Sequence, residues 1–151
     1  MSSNLKKQAF AFVHSYSTQK VKNINNQLSQ LVEALNSETK STAGDKHETG
    51  RAMLQLEREK LGNQLADAEK SISFLHRINL EASNSKVGLG SLVFTSNGNY
   101  FISVFAGKYQ VNNRVIFCIS NVSPIGQLLM GKSEDDRFEF NNKEYEIRNV
   151  Y

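Results

Sequence analysis

Two acidic residues three positions apart, Asp45 and Glu48, lie in the polar segment STAGDKHETGRAM, residues 41–53, between two long helical patterns. At this spacing in a helix, the two carboxylates lie on the same side of the first turn. Mg²⁺ is commonly held by one or two carboxylates together with water. The nearest further candidate, His47, is a poor magnesium ligand. A complete Mg²⁺ site would therefore need ligands from another molecule.

The same two residues also fit a purely structural role. An aspartate at the N-cap of a helix and a glutamate three positions later form a capping box, in which each side chain accepts a hydrogen bond from a backbone amide without a helical partner. The positive end of the helix dipole favours both carboxylates as well. The spacing of Asp45 and Glu48 therefore leaves helix capping and metal binding open.

The residues on either side of this segment predict two long helices. Apolar residues recur at steps of three, four or a multiple, which is typical of a heptad pattern. They are Ala9, Phe12, Tyr16, Ile24, Leu28, Leu31 and Leu35 before the segment, and Leu54, Leu61, Leu65, Ala68, Ile72 and Leu75 after it. Joined by a short polar connection, the helices predict an antiparallel coiled-coil hairpin over residues 1-84, with an acidic tip near 41-50. Because two helices cannot enclose a core, the pattern favours a projecting rod.

The second half of the chain, residues 85-151, changes to short runs rich in β-branched and aromatic residues. The runs are SLVFT, YFISVF, VIFCIS, RFEF and EYEIRNVY, and turn-forming segments such as SNGN, VNN and NN separate them. Such runs predict a small antiparallel β-sheet. The predicted core consists of Val93, Phe105, Ile116, Leu128, Leu129, Phe138 and Ile147. The overall prediction is an α+β fold.

One short helix is expected between the third and fourth of these runs, in the segment SPIGQLLMGK. Ser123 can cap this helix, Pro124 suits its first turn, and Gly131 suits the exit from its C-terminus. Nearby, Cys118 lies within an apolar run without a basic neighbour, so we expect a buried structural thiol and no thiol chemistry.

Composition excludes several classes of protein. The chain has 151 residues, 39% of them hydrophobic, and contains no run of about 18 apolar residues that would predict a membrane-spanning helix. The N-terminus lacks the apolar segment and cleavage site of a secretory signal. A single cysteine fits a reducing compartment. We therefore expect a cytoplasmic protein without a membrane partner.

The charge distribution gives no strong indication of nucleic-acid binding. The net charge is +3, and the first 30 residues contain four lysines and no acid. Scattered lysines of this kind usually form the solvated face of a helix, and the chain has neither an arginine-rich run nor an aromatic platform for bases.

Two parts of the chain together resemble the Gre-type transcript cleavage factors of bacteria. The segment GDKHETGRAMLQLEREKLGNQL is similar to the tip and second helix of that family, where a Gly-Asp-x-x-Glu stretch leads into the return helix. VGLGSLV and NVSPIGQLLMGKSEDDRFEFNNKEYEIRNVY are similar to the family's FKBP-like C-terminal domain. The resemblance runs from about Gly44 to Tyr151, while the first helix matches in pattern only.

This resemblance implies a function and a set of residue roles. It implies a monomer that binds bacterial RNA polymerase, inserts its tip into the secondary channel and promotes cleavage of backtracked nascent RNA. Asp45 and Glu48 would hold Mg²⁺ jointly with the polymerase, without an independent active site, in a two-metal hydrolysis. Ser123, Pro124 and Ile125 would lie in or beside the polymerase-binding surface.

The chain departs from the family where the acidic pair ends. Residues 49–52 read Thr-Gly-Arg-Ala in place of the usual Asn-Ala-Glu-Tyr, so Arg51 replaces an acid. Arg51 is a candidate for contact with RNA phosphate, or for an ion pair with Glu48 three residues earlier. The departure keeps a second function open, a regulator that enters the channel without promoting cleavage. A protein-interaction adaptor is a third alternative. A prolyl isomerase is disfavoured because isomerases of this fold line their pocket with a tryptophan, and this chain has none.

Overall fold

A computed structural model of the chain describes residues 2–40, 44–82 and 85–151. Two long helices come first and six strands follow, with a short helix between the fourth and fifth strands. The helices are α1 (Ser2–Lys40), α2 (Gly44–His76) and α3 (Pro124–Leu129). The strands are β1 (Leu92–Thr95), β2 (Gly98–Ser103), β3 (Gly107–Val111), β4 (Arg114–Ser120), β5 (Arg137–Phe140) and β6 (Lys143–Val150). This order confirms the predicted α+β fold.

The chain forms two compact units, each with its own apolar cluster. The sheet unit consists of Met1–Tyr16 and Phe74–Tyr151, and the helical unit consists of Ser17–Ser73. The sheet unit therefore includes the start of α1 and the end of α2. The boundary predicted from the sequence lies instead between residues 84 and 85. That predicted domain boundary itself stays a prediction.

Within the helical unit, α1 and α2 pack against each other through the predicted heptad positions. The cluster that they share consists of buried Ile24, Leu31, Leu61 and Ala68 with partly buried Val21, Leu28, Leu54 and Leu65. Because only residues 41–43 separate α1 from α2, helices that share such a cluster run antiparallel. The predicted antiparallel helical pair is confirmed.

The six strands of the sheet unit form one sheet in the order β3-β4-β2-β1-β6-β5. Every neighbouring pair is antiparallel except β2 and β4, which run parallel. The predicted sheet therefore exists, but it is mixed at one position and contains a sixth strand, β3, that the sequence analysis did not predict. Strand β3 pairs with β4 at the edge of the sheet and alternates between exposed and half-buried residues.

The two Asn-Asn pairs form the tight turns that the sequence predicted. Asn112 and Asn113 have φ values of 48° and 64° between β3 and β4, and Asn141 and Asn142 have values of 52° and 64° between β5 and β6. Two consecutive residues at positive φ are typical of the type I′ turn, whose twist matches that of a hairpin. These turns fix the register of both hairpins.

Two apolar clusters fill the sheet unit. The first cluster joins α1 and α2 to the sheet and contains Ala9, Val13, Leu75, Leu92, Phe101, Ala106, Ile116 and Cys118. The second cluster includes α3 and contains Val87, Val93, Tyr100, Ile102, Leu129, Tyr145 and Ile147. Neighbours on one strand, such as Phe101 and Ile102, belong to different clusters because successive side chains point to opposite faces. The sheet is therefore covered on both faces.

The predicted core is correct at four residues, partly correct at two and wrong at one. Val93, Ile116, Leu129 and Ile147 are buried, and Leu128 and Phe138 are half-buried. Phe105 was predicted to be buried, but 63% of it is exposed. Because β2 ends at Ser103, Phe105 lies beyond the strand, where the alternation of faces no longer applies. Its ring instead meets Tyr16 edge-on, with 6.1 Å between ring centroids.

Candidate functional site

The acidic pair lies at the start of α2. This helix begins at Gly44, so Asp45 is its second residue and Glu48 lies at the end of its first full turn. Helix capping by this pair, like metal binding, stays a prediction. Residues 41–43 of the predicted tip, and the Asp45 side chain, lie outside what the structure describes. The Glu48 side chain is exposed.

Exposed residues continue along α2 beyond Glu48. Thr49 and Arg51 are exposed, and Gly50 is half-buried. Met53 and Leu56, one helical turn apart, are each 66% exposed, which is unusual for large apolar side chains. Neither residue was among the functional residues predicted from the sequence. Their positions outside the heptad pattern could have indicated that they are exposed.

The donor set near Glu48 suits a hard cation only in part. Two carboxylates on one helix face match the way in which proteins hold Mg²⁺ with several waters retained. Among the residues whose side chains the structure describes, which leave out residues 38–47, no group of three or more His, Cys, Asp or Glu side chains could hold a metal ion. Asp45 and Glu48 could therefore supply ligands to a shared site, and their assignment as metal-organising residues stays a prediction.

The predicted partner-binding residues begin α3, and the structure gives two of them local roles. The Ser123 hydroxyl accepts a hydrogen bond from the Gly126 amide at 3.1 Å and donates one to the Ser120 carbonyl oxygen at 2.7 Å. Pro124 occupies the first turn, and its side chain is exposed. Ile125 packs against the second apolar cluster. The predicted cap is confirmed, while contact with a partner stays a prediction for all three residues.

The surface beside this cap contains an apolar residue that the sequence analysis missed. Val122, which precedes Ser123, is 68% exposed. Together with exposed Pro124, it places apolar atoms at the surface next to the capped end of α3. At the other end of α3, Gly131 has a φ of 81° and donates a hydrogen bond to the Val87 carbonyl oxygen at 2.9 Å. The predicted glycine exit from α3 is therefore confirmed.

Cys118 is a buried structural residue, as the sequence predicted. It is fully buried in the first apolar cluster, and burial raises the pKa of its thiol to about 12. A thiol with so high a pKa is almost entirely protonated at neutral pH, and the protonated form is a poor nucleophile. Cys118 therefore takes no part in a chemical site.

None of the helices in the described residues combines the length and the apolar character needed to cross a membrane.

Comparisons with known proteins add little to this description. No protein-family model matches the chain, and no curated protein matches it. Among solved structures, the chain is similar to one titled "Structure of the transcription factor Gfh1", with 19% sequence identity and a TM-score of 0.37. The alignment covers 91% of this chain and 92% of that chain. At these values the likeness does not establish a shared family.

Proposed function

We propose that this protein is an accessory factor of bacterial RNA polymerase. In this proposal the tip enters the secondary channel of the polymerase and promotes Mg²⁺-dependent cleavage of backtracked nascent RNA. The observation that carries the proposal is the position of Glu48, an exposed carboxylate in the first turns of α2, directly after the connection between two helices packed along a heptad pattern. The sequence resemblance from Gly44 to Tyr151 supplies the identity of the partner.

The packing of the helical pair is suited to hold the side chains beside its connection in fixed positions. Between Ile24 and Leu31 on α1, and between Leu54 and Ala68 on α2, apolar side chains from both helices form one continuous cluster. This packing stabilises a long two-helix element that would be marginal as single helices in water. In the proposal its stiffness positions Asp45 and Glu48 at a catalytic centre that belongs to the polymerase.

The chemistry proposed for this chain is limited to binding and positioning. When bound, Mg²⁺ would lower the pKa of a coordinated water and stabilise charge on the phosphate oxygens. Asp45 and Glu48 would provide one or two of its oxygen ligands, which is the usual protein contribution to a Mg²⁺ site, and the polymerase would provide the rest. The exposed guanidinium of Arg51 would bind an RNA phosphate oxygen.

Apolar contacts are proposed to hold the factor on the polymerase. Met53 and Leu56 offer apolar surface on α2 close to the acidic pair, while Val122 and Pro124 offer it beside the cap of α3. Exposed apolar groups of this kind commonly become buried when two proteins associate. Ser123 and Ile125 would then support this surface through the cap and core contacts already described.

A regulator that enters the channel without promoting cleavage is the second candidate. The observation that favours it is the sequence after Glu48, where Gly50 lowers helix propensity by roughly 1 kcal/mol relative to alanine. Arg51 also places a positive charge one turn from Glu48, where it reduces the negative potential that attracts Mg²⁺.

A cleavage assay on stalled, backtracked elongation complexes tests both candidates. Purified protein and Mg²⁺ are added, and short 3′ RNA fragments are quantified by gel electrophoresis. We expect fragment release with the wild-type protein and a loss of about a hundredfold or more with Asp45→Ala/Glu48→Ala, as is typical when groups that position a catalytic centre are removed.

The matched control is Glu57→Ala/Glu59→Ala, which removes two exposed acids further along the same helix. This variant should cleave like the wild type, because Glu57 and Glu59 lie about two to three helical turns beyond the acidic pair. Both variants lose two negative charges, so a difference between them is not an effect of net charge. Polymerase binding without fragment release by the wild type would identify the regulator. If the protein does not bind the polymerase at all, both the cleavage factor and the regulator are refuted. The protein-interaction adaptor then remains as the alternative.

A further inference from the structure

The sheet unit contains a buried lysine that the proposed function does not use. Lys6, on α1, is only 6% exposed, although lysine is among the residues least often buried. Among the described residues its Nζ has one hydrogen-bond partner, the Ala82 carbonyl oxygen at 3.5 Å. This distance is longer than a usual N–H···O bond, and an ammonium group has several N–H donors to satisfy. Among the described residues, one acceptor is therefore found for the three N–H donors of the Lys6 ammonium group.

Among the described residues, Lys6 forms no ion pair with an acidic side chain. Burial lowers the pKa of Lys6, because desolvation disfavours the charged form. A buried charge is costly unless an anion and further hydrogen bonds compensate it.

Lys6 lines a cavity of about 370 Å³, in the size range of sites for small molecules. Ser3 and Lys7 also line this cavity, so a hydroxyl group and a second amine lie around the same space. Apolar side chains form much of the remaining wall, including Leu80, Ala82 and Val150. The site thus combines donors for an anion with surface for an apolar group.

The charges of the side chains that line the cavity indicate which class of ligand it would bind. The lysines contribute two positive charges, and Glu81, which also lines the cavity, contributes one negative charge. The sum favours a ligand with a single negative charge over a polyanion. We propose that this cavity binds a small carboxylate with an apolar body, whose carboxylate oxygens accept hydrogen bonds from Lys6 while its apolar part contacts Leu80 and Val150.

Benzoate is a suitable probe, and benzyl alcohol is its neutral counterpart of similar shape. Binding to the full chain is followed by ¹H–¹⁵N NMR titration. We expect benzoate to shift the amide signals of Lys6, Leu80 and Val150, and benzyl alcohol to bind at least about tenfold more weakly, because it lacks the charge-assisted hydrogen bond.

Lys6→Met removes the ammonium group and keeps an unbranched apolar side chain of similar length. We expect this variant to bind benzoate at least about tenfold more weakly than the wild type. Lys22→Met, which removes an exposed lysine from the helical unit, is the matched control and should bind benzoate like the wild type. Unchanged signals from the second apolar cluster show that the Lys6 variant remains folded.

Phenyl phosphate distinguishes the proposed carboxylate from a phosphate ester, and weaker binding than benzoate supports the charge argument. Stronger binding of phenyl phosphate overturns the assignment to a carboxylate. Equal binding of benzoate by the wild type and Lys6→Met, or no shift of these amide signals at any benzoate concentration, overturns the site. These outcomes are independent of the cleavage assay, because the inference does not rest on the proposed function.

Discussion

The backbone of Gly126 lies against the carbonyl oxygen of Ser120, so closely that a Cβ atom added to Gly126 would overlap that oxygen. Gly126 also donates its amide hydrogen to the Ser123 hydroxyl, which in turn donates to Ser120. The glycine therefore allows α3 to begin directly at the end of β4. This arrangement carries Ile125 and Leu129 onto the second apolar cluster.

The first prediction follows from this contact. Gly126→Ala should lower the free energy of unfolding by about 1–3 kcal/mol, because the backbone of β4 or α3 must move to accommodate the methyl group. The measurement is equilibrium unfolding in urea, followed by circular dichroism.

The matched variant is Gly62→Ala in the middle of α2, where no atom lies within 4 Å of the added Cβ. It should raise the free energy of unfolding of the element that contains it by about 0.5–1 kcal/mol through helix propensity alone. Equal effects of the two substitutions would contradict the packing of α3.

The second prediction compares two phenylalanines near the end of β2. Phe101→Ala should cost about 3–5 kcal/mol of stability, because Phe101 is fully buried in the first apolar cluster. Phe105→Ala should cost less than about 1.5 kcal/mol, because its ring is mostly exposed and contributes chiefly an edge-on aromatic contact with Tyr16. Urea unfolding of both variants measures the difference, and a cost at Phe105 that matched the cost at Phe101 would place Phe105 in the core after all.

The third prediction concerns the reactivity of Cys118. Because the thiol is fully buried and its pKa is raised to about 12, it should react very slowly with a thiol reagent such as DTNB in the native protein at pH 8. In guanidinium chloride the same thiol should react promptly. Absorbance of the released thiolate measures both rates, and similar rates in the two conditions would refute burial.

The raised pKa of Cys118 also predicts how stability depends on pH. Between the ordinary value of 9.0 and about 12, the unfolded thiol loses its proton while the folded thiol keeps it. The free energy of unfolding should therefore fall with rising pH in this window, by up to about 1.4 kcal/mol per pH unit from this group. Below pH 9 the contribution is fully present. Cys118→Ala should lack this part of the slope, and identical slopes in the two proteins would contradict the assignment.

The features that depend on neighbouring residues could be predicted from local sequence patterns. The heptad positions of α1 and α2, the two Asn-Asn turns and the Ser123 cap with its following proline all appear where the local pattern placed them. Periodicity, positive φ and end-capping are properties of a few consecutive residues, so no distant contact is needed to specify them. Asp45 and Glu48 could be recognised as a pair for the same reason, because their spacing of three residues is a local property of the sequence.

The features that depend on contacts between distant segments became apparent in the folded chain and could not be predicted. Strand β3 is defined by its pairing with β4, and its alternation of exposed and half-buried residues gave too weak an apolar signal to predict it. The parallel pairing of β2 with β4, the exposure of Phe105 and the burial of Lys6 were equally invisible in sequence. In each case the environment is made by residues far apart in the chain, and a charged or aromatic side chain carries no local mark of which neighbours will surround it.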